Sequence, residues 1–125
     1  MFFSCVFVAL AASAAVAVSA ESKPLEYFIY APAQSDSDML ARQKVAAEAH
    51  LAHANSLNAT GNLDYGGPVL TASSTAANPT FAGSVFVLKV ENLEAAKKVV
   101  EDDAYYTGNV WDPKKIVVLP YIPYF

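Results

Sequence analysis

Two histidines stand in the run Glu48-Ala49-His50-Leu51-Ala52-His53, inside a Gly- and Pro-free stretch from Met39 to Leu57. Imidazole exchanges a proton more readily near neutral pH than any other side chain, so a histidine on the inner side of a helix is a candidate general acid or base. From helix position alone, a core histidine bonded to backbone accounts for His50 better than a catalytic one. The i,i+3 spacing also suits two metal ligands, but no third ligand stands in a convincing position, and neither a metal nor a cofactor is expected. Tyr65, Tyr105, Tyr106 and Trp111 offer rings for an aromatic ligand and polar tips to orient it, or simply fill a small core. Gly66-Gly67-Pro68 lacks the spacing of a phosphate loop and reads as a strand bulge, or as backbone brought near a ligand. Tyr65, Gly67, Tyr105 and Trp111 are therefore the expected ligand contacts. No Ser-His-Asp order and no pair of catalytic carboxylates stands out, which disfavours a hydrolase.

The elements that must position these groups follow from the pattern. Glu26–Tyr30 is β-rich and stops at Ala31-Pro32. Ser35–Asp38 offers N-caps and acid for the start of a helix over Met39–Leu57, where the macrodipole favours negative charge. At about 100° per residue, Met39, Leu40, Ala46, Ala47, Ala54 and Leu57 share the direction of His50. Arg42, Lys44, Glu48, Asn55 and Ser56 face away, and His53 falls at the edge of the stripe, where a rim or surface position is expected. Thr60-Gly61-Asn62 ends the helix.

A strand over Leu63–Thr71 and an extended loop over Ala72–Ala82, long enough to fold over a pocket, come next. Gly83–Val90 is the clearest strand. Asn92 caps a helix over Leu93–Glu101, an aromatic connection spans Asp102–Asp112, and Lys114–Tyr121 is the last strand. The order β-α-β-β-α-β is the ferredoxin-like α+β motif, a four-stranded antiparallel sheet with two helices on one face. In Ser84–Val90, Phe86, Leu88 and Val90 point one way and Val85 and Val87 the other, so both faces are apolar. Two helices cover one face, and a homodimer with sheets face to face is the expected cover for the second.

The 125 residues fit one domain, and the first twenty read as something else. Residues 1–20 carry no charged side chain and end Val18-Ser19-Ala20, the small-residue pattern of a cleaved secretory signal, although no Lys or Arg precedes the apolar run. The folded domain is then 21–125, a secreted protein with no membrane association after cleavage, or a cytoplasmic one if the start is misplaced. Cys5, the sole cysteine, would leave with the signal, and Asn58-Ala59-Thr60 is a glycosylation sequon. A net charge of −4 with scattered basic residues excludes nucleic acid as an expected partner.

Taken together, Glu26-Tyr-Phe-Ile-Tyr-Ala-Pro32, Ala49-His50-Leu51, Gly67-Pro68, Leu93-Glu-Ala-Ala96 and Asp103-Ala-Tyr105 with Gly108 resemble the YCII-related (YciI-like) domain family over about Glu26–Pro123. The resemblance implies a dimeric α+β barrel whose active site is a His-Asp pair in a pocket, carried here by His50 and Asp103. Members are mostly uncharacterised; a lyase that removes chloride from a chlorinated hydroxyquinol is among those of known activity. Ala47-Glu48 stands where members often read Arg-Pro, which leaves no anion-binding arginine there. Asp103-Ala104-Tyr105 keeps the carboxylate and aromatic of the usual Asp-Pro-Tyr/Phe. The expectation is a cofactor-independent isomerase or lyase acting on a small aromatic or lactone-like metabolite, with His50 as acid–base and Asp103 orienting it. The alternative is a non-catalytic dimer that binds or carries a small molecule in the same cleft.

Overall fold

The computed structural model describes residues 25–125; the signal expected over 1–20 lies outside them. Strand β1, Glu26–Pro32, buries Tyr27, Ile29 and Ala31 and leaves Phe28, Tyr30 and Pro32 more open, the alternation of a strand covered on one side. It pairs antiparallel with β3, Phe81–Leu88, and with β4, Val117–Tyr121, while β2, Leu63–Leu70, pairs antiparallel with β3. The order β2-β3-β1-β4 is that of the ferredoxin-like α+β fold. Helices α1, Met39–Ala59, and α2, Leu93–Asp102, cover one face, with a single further turn α3, Ala104–Thr107, between α2 and β4. The core joins Tyr27, Ile29 and Leu88 of the sheet to Met39, Ala96, Val100, Tyr105, Val110 and Trp111. Among the described residues no helix is long and apolar enough to cross a membrane.

Helix α1 turns a stripe spaced by three and four residues toward the sheet: Met39, Gln43, Ala46, Ala47, His50, His53, Ala54 and Leu57. Besides His53, which was expected at the edge of the stripe, Leu40 and Arg42 depart from the expected faces. Leu40 lies outside it, 44% exposed. Arg42 lies on the packed side because the Asp36 carboxylate grips its guanidinium at 2.6 and 2.7 Å. That grip holds the Asp36 pKa down to about 2. Asp38 occupies the N-cap position without a side-chain cap, and its own N–H donates to Asp36 at 3.2 Å. At the other end Gly61 takes φ +78° and the Asn62 N–H closes on Leu57 O at 2.9 Å, a Schellman-type stop at the expected place. Helix α2 starts where expected, with Asn92 Oδ1 accepting from the Ala95 N–H at 2.8 Å.

The strands differ from expectation mainly at their ends. β4 begins at Val117 because Asp112 draws the Lys114 and Lys115 N–H groups into a turn. The segment 71–80 is tied to itself, with Ser74 Oγ accepting from the Thr80 N–H and sharing a hydrogen bond with Thr71, and it does not fold over the cavity described below. The register places Phe28, Tyr30, Val85, Val117 and Leu119 on the sheet face away from the helices. Leu119 is 55% exposed there. At one end of this face the buried Glu26 carboxylate accepts from the Tyr121 hydroxyl at 2.9 Å; burial, and then that carboxylate, push the Tyr121 pKa well above its usual value.

Gly83 meets a strict backbone requirement of the sheet. Gly83 has φ +146°, and a Cβ there would sit 2.5 Å from Ala31 O and 3.0 Å from Pro32 Cα, both backbone atoms. Gly67 has open space around the same position. Gly83→Ala is therefore expected to destabilise the fold by about 2 kcal/mol or more. Gly67→Ala should stay within about 0.5 kcal/mol. Urea denaturation of the two variants checks the contrast; equal stabilities would contradict it.

Candidate active site

Asp103 sits where the chain leaves α2 and enters α3. Its extended backbone, φ −74° and ψ 143°, breaks the helical path, and its Oδ1 accepts the Tyr105 N–H at 2.8 Å as the N-cap of α3. The residue is 5% exposed. A buried carboxylate is costly unless it is paired and hydrogen-bonded. The partners come from α1: His50 Nδ1 lies 2.8 Å from Oδ1 and His53 Nδ1 lies 2.8 Å from Oδ2. Residues three apart share a helix face, which is how both rings reach one carboxylate.

Burial acts to raise the Asp103 pKa, and the hydrogen bonds from His50, His53 and the Tyr105 N–H outweigh it, so the carboxyl stays below its ordinary range. An ionised carboxylate can only accept, so each histidine must donate from Nδ1. In the neutral imidazole this leaves Nε2 as the free lone pair. The His50 ring is held flat against Tyr105, with centroids 3.8 Å apart and planes 4° from parallel, and meets Trp111 edge-on at 5.9 Å. Ring position, tautomer and partner are thus all fixed by neighbours on other elements.

His50, Asp103 and Tyr105 border a cavity of about 410 Å³ between α1 and strands β2 and β3. Its walls are mostly apolar, with Leu57, Leu63, Phe81 and Phe86 among them, and Ala47 leaves room on the helix side. Gln43, whose Nε2 approaches the Tyr105 hydroxyl at 3.5 Å, and Ser84 add polar groups. Among the described residues no cluster of three or more His, Cys, Asp or Glu side chains is placed to hold a metal ion.

Four of the residues expected from the sequence meet at this cavity: His50, Asp103, Gly67 and Tyr105. Two do not. Tyr65 pairs with Val87 after a register shift at Leu63/Tyr65, which turns it to the other sheet face, 55% exposed. Trp111 is fully buried behind the cavity, where it stacks near Phe86 and donates from Nε1 to Ser84 Oγ at 3.1 Å. His53, expected at the rim, is instead the second donor to Asp103. The i,i+3 histidine spacing carried that signal, but its meaning depended on where a residue fifty positions away would lie. Ser84 and Gln43 gave no signal in the sequence beyond their types.

The lowered Asp103 pKa sets a pH dependence. A carboxyl depressed in the folded state contributes stability that is present above its unfolded value, ~3.9, and is lost as pH falls through the folded value. Asp103→Asn should cost about 2 kcal/mol at pH 7, the range for a hydrogen-bonded charge. That difference from the parent should shrink on acidification below ~4. Denaturant titrations at stepped pH measure it; a pH-independent difference would contradict the assignment.

Comparisons with known proteins follow the same lines. A model of the YCII-related domain matches residues 25–119. Among solved structures, 5-chloro-2-hydroxyhydroquinone dehydrochlorinase (TftG) from Burkholderia phenoliruptrix AC1100, in complex with 2,5-dihydroxybenzoquinone, is 21% identical with a TM-score of 0.66, covering 78% of this chain and 93% of that one. The protein At3g17210 from Arabidopsis thaliana is 17% identical with a TM-score of 0.38, covering 80% of this chain and 95% of its own. A search of curated proteins finds no match. The likeness to the dehydrochlorinase establishes the α+β fold, and by the domain match over 25–119 the chain belongs to the YCII-related domain family.

Proposed function

We propose that this protein is a cofactor-independent enzyme that performs general acid–base chemistry, of isomerase or lyase type, on a small aromatic or lactone-like metabolite. The observation that carries the reading is His50, held by Asp103 through Nδ1 and bordering an apolar cavity. His50 Nε2 would take an acidic hydrogen from a bound substrate, and Asp103 would stabilise the imidazolium that results. Returning the proton to a different atom isomerises the substrate; losing a leaving group instead completes an elimination. The dehydrochlorinase of the same fold is named for an elimination, which agrees with this class. The apolar lining and Ala47 also suit a non-catalytic binding protein, the second reading.

Hydrogen exchange separates the two. A panel of cyclic ketones, lactones and hydroxylated aromatics in D2O, followed by NMR, should reveal a compound whose acidic hydrogen exchanges faster with the protein present. His50→Ala should slow that exchange by roughly 10²–10⁴-fold. Binding without any enhanced exchange would favour the carrier, and a folded His50→Ala variant with undiminished exchange would reject the base.

We propose further that the open sheet face, with Leu119 at its exposed edge, is covered by a second copy of the chain. A sheet apolar on both faces buries the second against another layer. Sedimentation should give a dimer, and Leu119→Lys should shift it toward monomer. A parent that stays monomeric across micromolar concentrations would overturn the dimer.

A further inference from the structure

Ser84 is a buried group at the cavity whose hydrogen-bonding capacity is not fully used. It lies on β3 between Ala31 of β1 and Pro68 of β2, and it is 4% exposed. Its Oγ accepts the Trp111 indole N–H at 3.1 Å. Indole nitrogen can only donate, so that bond consumes a lone pair of Ser84 and leaves the hydroxyl hydrogen unspent. Among the hydrogen bonds of the described residues, none has Ser84 as donor. A buried hydroxyl gains by finding an acceptor, and the cavity that Ser84 borders is where a ligand can bring one.

Charge around the cavity narrows what that ligand is. The lining contains the Asp103 carboxylate and no Lys or Arg. Arg42, the sole arginine of the chain, spends its guanidinium on Asp36 and its Nε on Asn109 O at 3.0 Å. An anion entering this space would meet an ionised carboxylate in low-dielectric surroundings with no fixed cation to offset it. An uncharged ring loses little on desolvation and gains from the apolar walls.

We propose that the cavity takes an uncharged ring compound bearing a hydroxyl or carbonyl oxygen, which accepts the Ser84 hydrogen bond while an acidic hydrogen faces His50 Nε2. The inference rests on the acid–base reading of the site and adds the substrate's charge and its oxygen anchor. In the step it serves, a C–H or O–H bond of the ligand breaks and an N–H bond forms at Nε2. The electron pair settles on the oxygen held by Ser84, whose hydroxyl donates to the developing charge and stabilises it. Ligand and His50 exchange one proton, and no further reactant enters.

Two probes of equal ring size test it, 2-naphthol as the uncharged ligand and 2-naphthoate as the anion, titrated into the full chain with detection by NMR. Naphthol should move the signals of Ser84, His50 and Tyr105, and naphthoate should bind at least roughly tenfold more weakly. Ser84→Ala should weaken naphthol binding by roughly tenfold, the effect of one buried hydrogen bond. Naphthoate binding as well as naphthol, or a folded Ser84→Ala variant that binds naphthol unchanged, would overturn the proposal and leave His50 untouched. If neither probe perturbs the cavity, the proposal and the small-molecule reading beneath it both fail. Should Ser84→Ala not fold, because Trp111 Nε1 loses its acceptor, the comparison of the two probes on the parent protein still decides.

Discussion

A carboxylate that is 5% exposed needs donors, and Asp103 collects three of them from two elements: the His50 and His53 rings of α1 and the Tyr105 N–H of α3. Removing any one leaves a buried charge partly unsatisfied, which is where the large penalties lie. The bonds also work in the other direction. They tie the middle of α1 to the α2–α3 junction and fix which nitrogen of each ring carries the hydrogen. The fold around the site is therefore constrained at a single point, and the chemistry inherits that constraint.

The cavity exists because α1 is poor in bulk where it faces β2 and β3. Ala47 and Ala54 leave space that larger apolar side chains would fill, while Leu57, Leu63 and Phe86 close its sides. Trp111 and Tyr105 fill the volume behind His50 and hold the ring against a flat partner rather than against solvent. Packing here serves orientation: Tyr105 and Trp111 beside the histidine are buried, and His50 borders the open space of the cavity.

Much of this was legible in the chain itself. The β-rich runs Glu26–Tyr30 and Gly83–Val90, the Gly- and Pro-free run from Met39, and the caps at Asn92 and Gly61 are local signals, and local signals place elements to within a residue or two of Glu26–Pro32 and Phe81–Leu88. The sheet order followed from the order of those elements. Individual side chains were harder. Tyr65 turns to the far face because of a register shift beside it, and a one-residue shift reverses every assignment downstream. By its type Trp111 suits a lining role, but its place depends on a bridge to Ala33 that no local pattern announces. His53 lay 60° from His50 on a helical wheel, and only the long-range position of Asp103 decides whether that angle means surface or partnership.

Asp103 holds His50 with its hydrogen on Nδ1 and its lone pair on Nε2. Imidazole ¹⁵N spectra of the neutral protein test it directly, because protonated and unprotonated ring nitrogens resonate far apart. The His50 spectrum should show Nδ1 protonated and Nε2 bare, changing to a mixture of tautomers in Asp103→Ala. A His50 ring protonated at Nε2, or a tautomer that does not change when the carboxylate is removed, would contradict it.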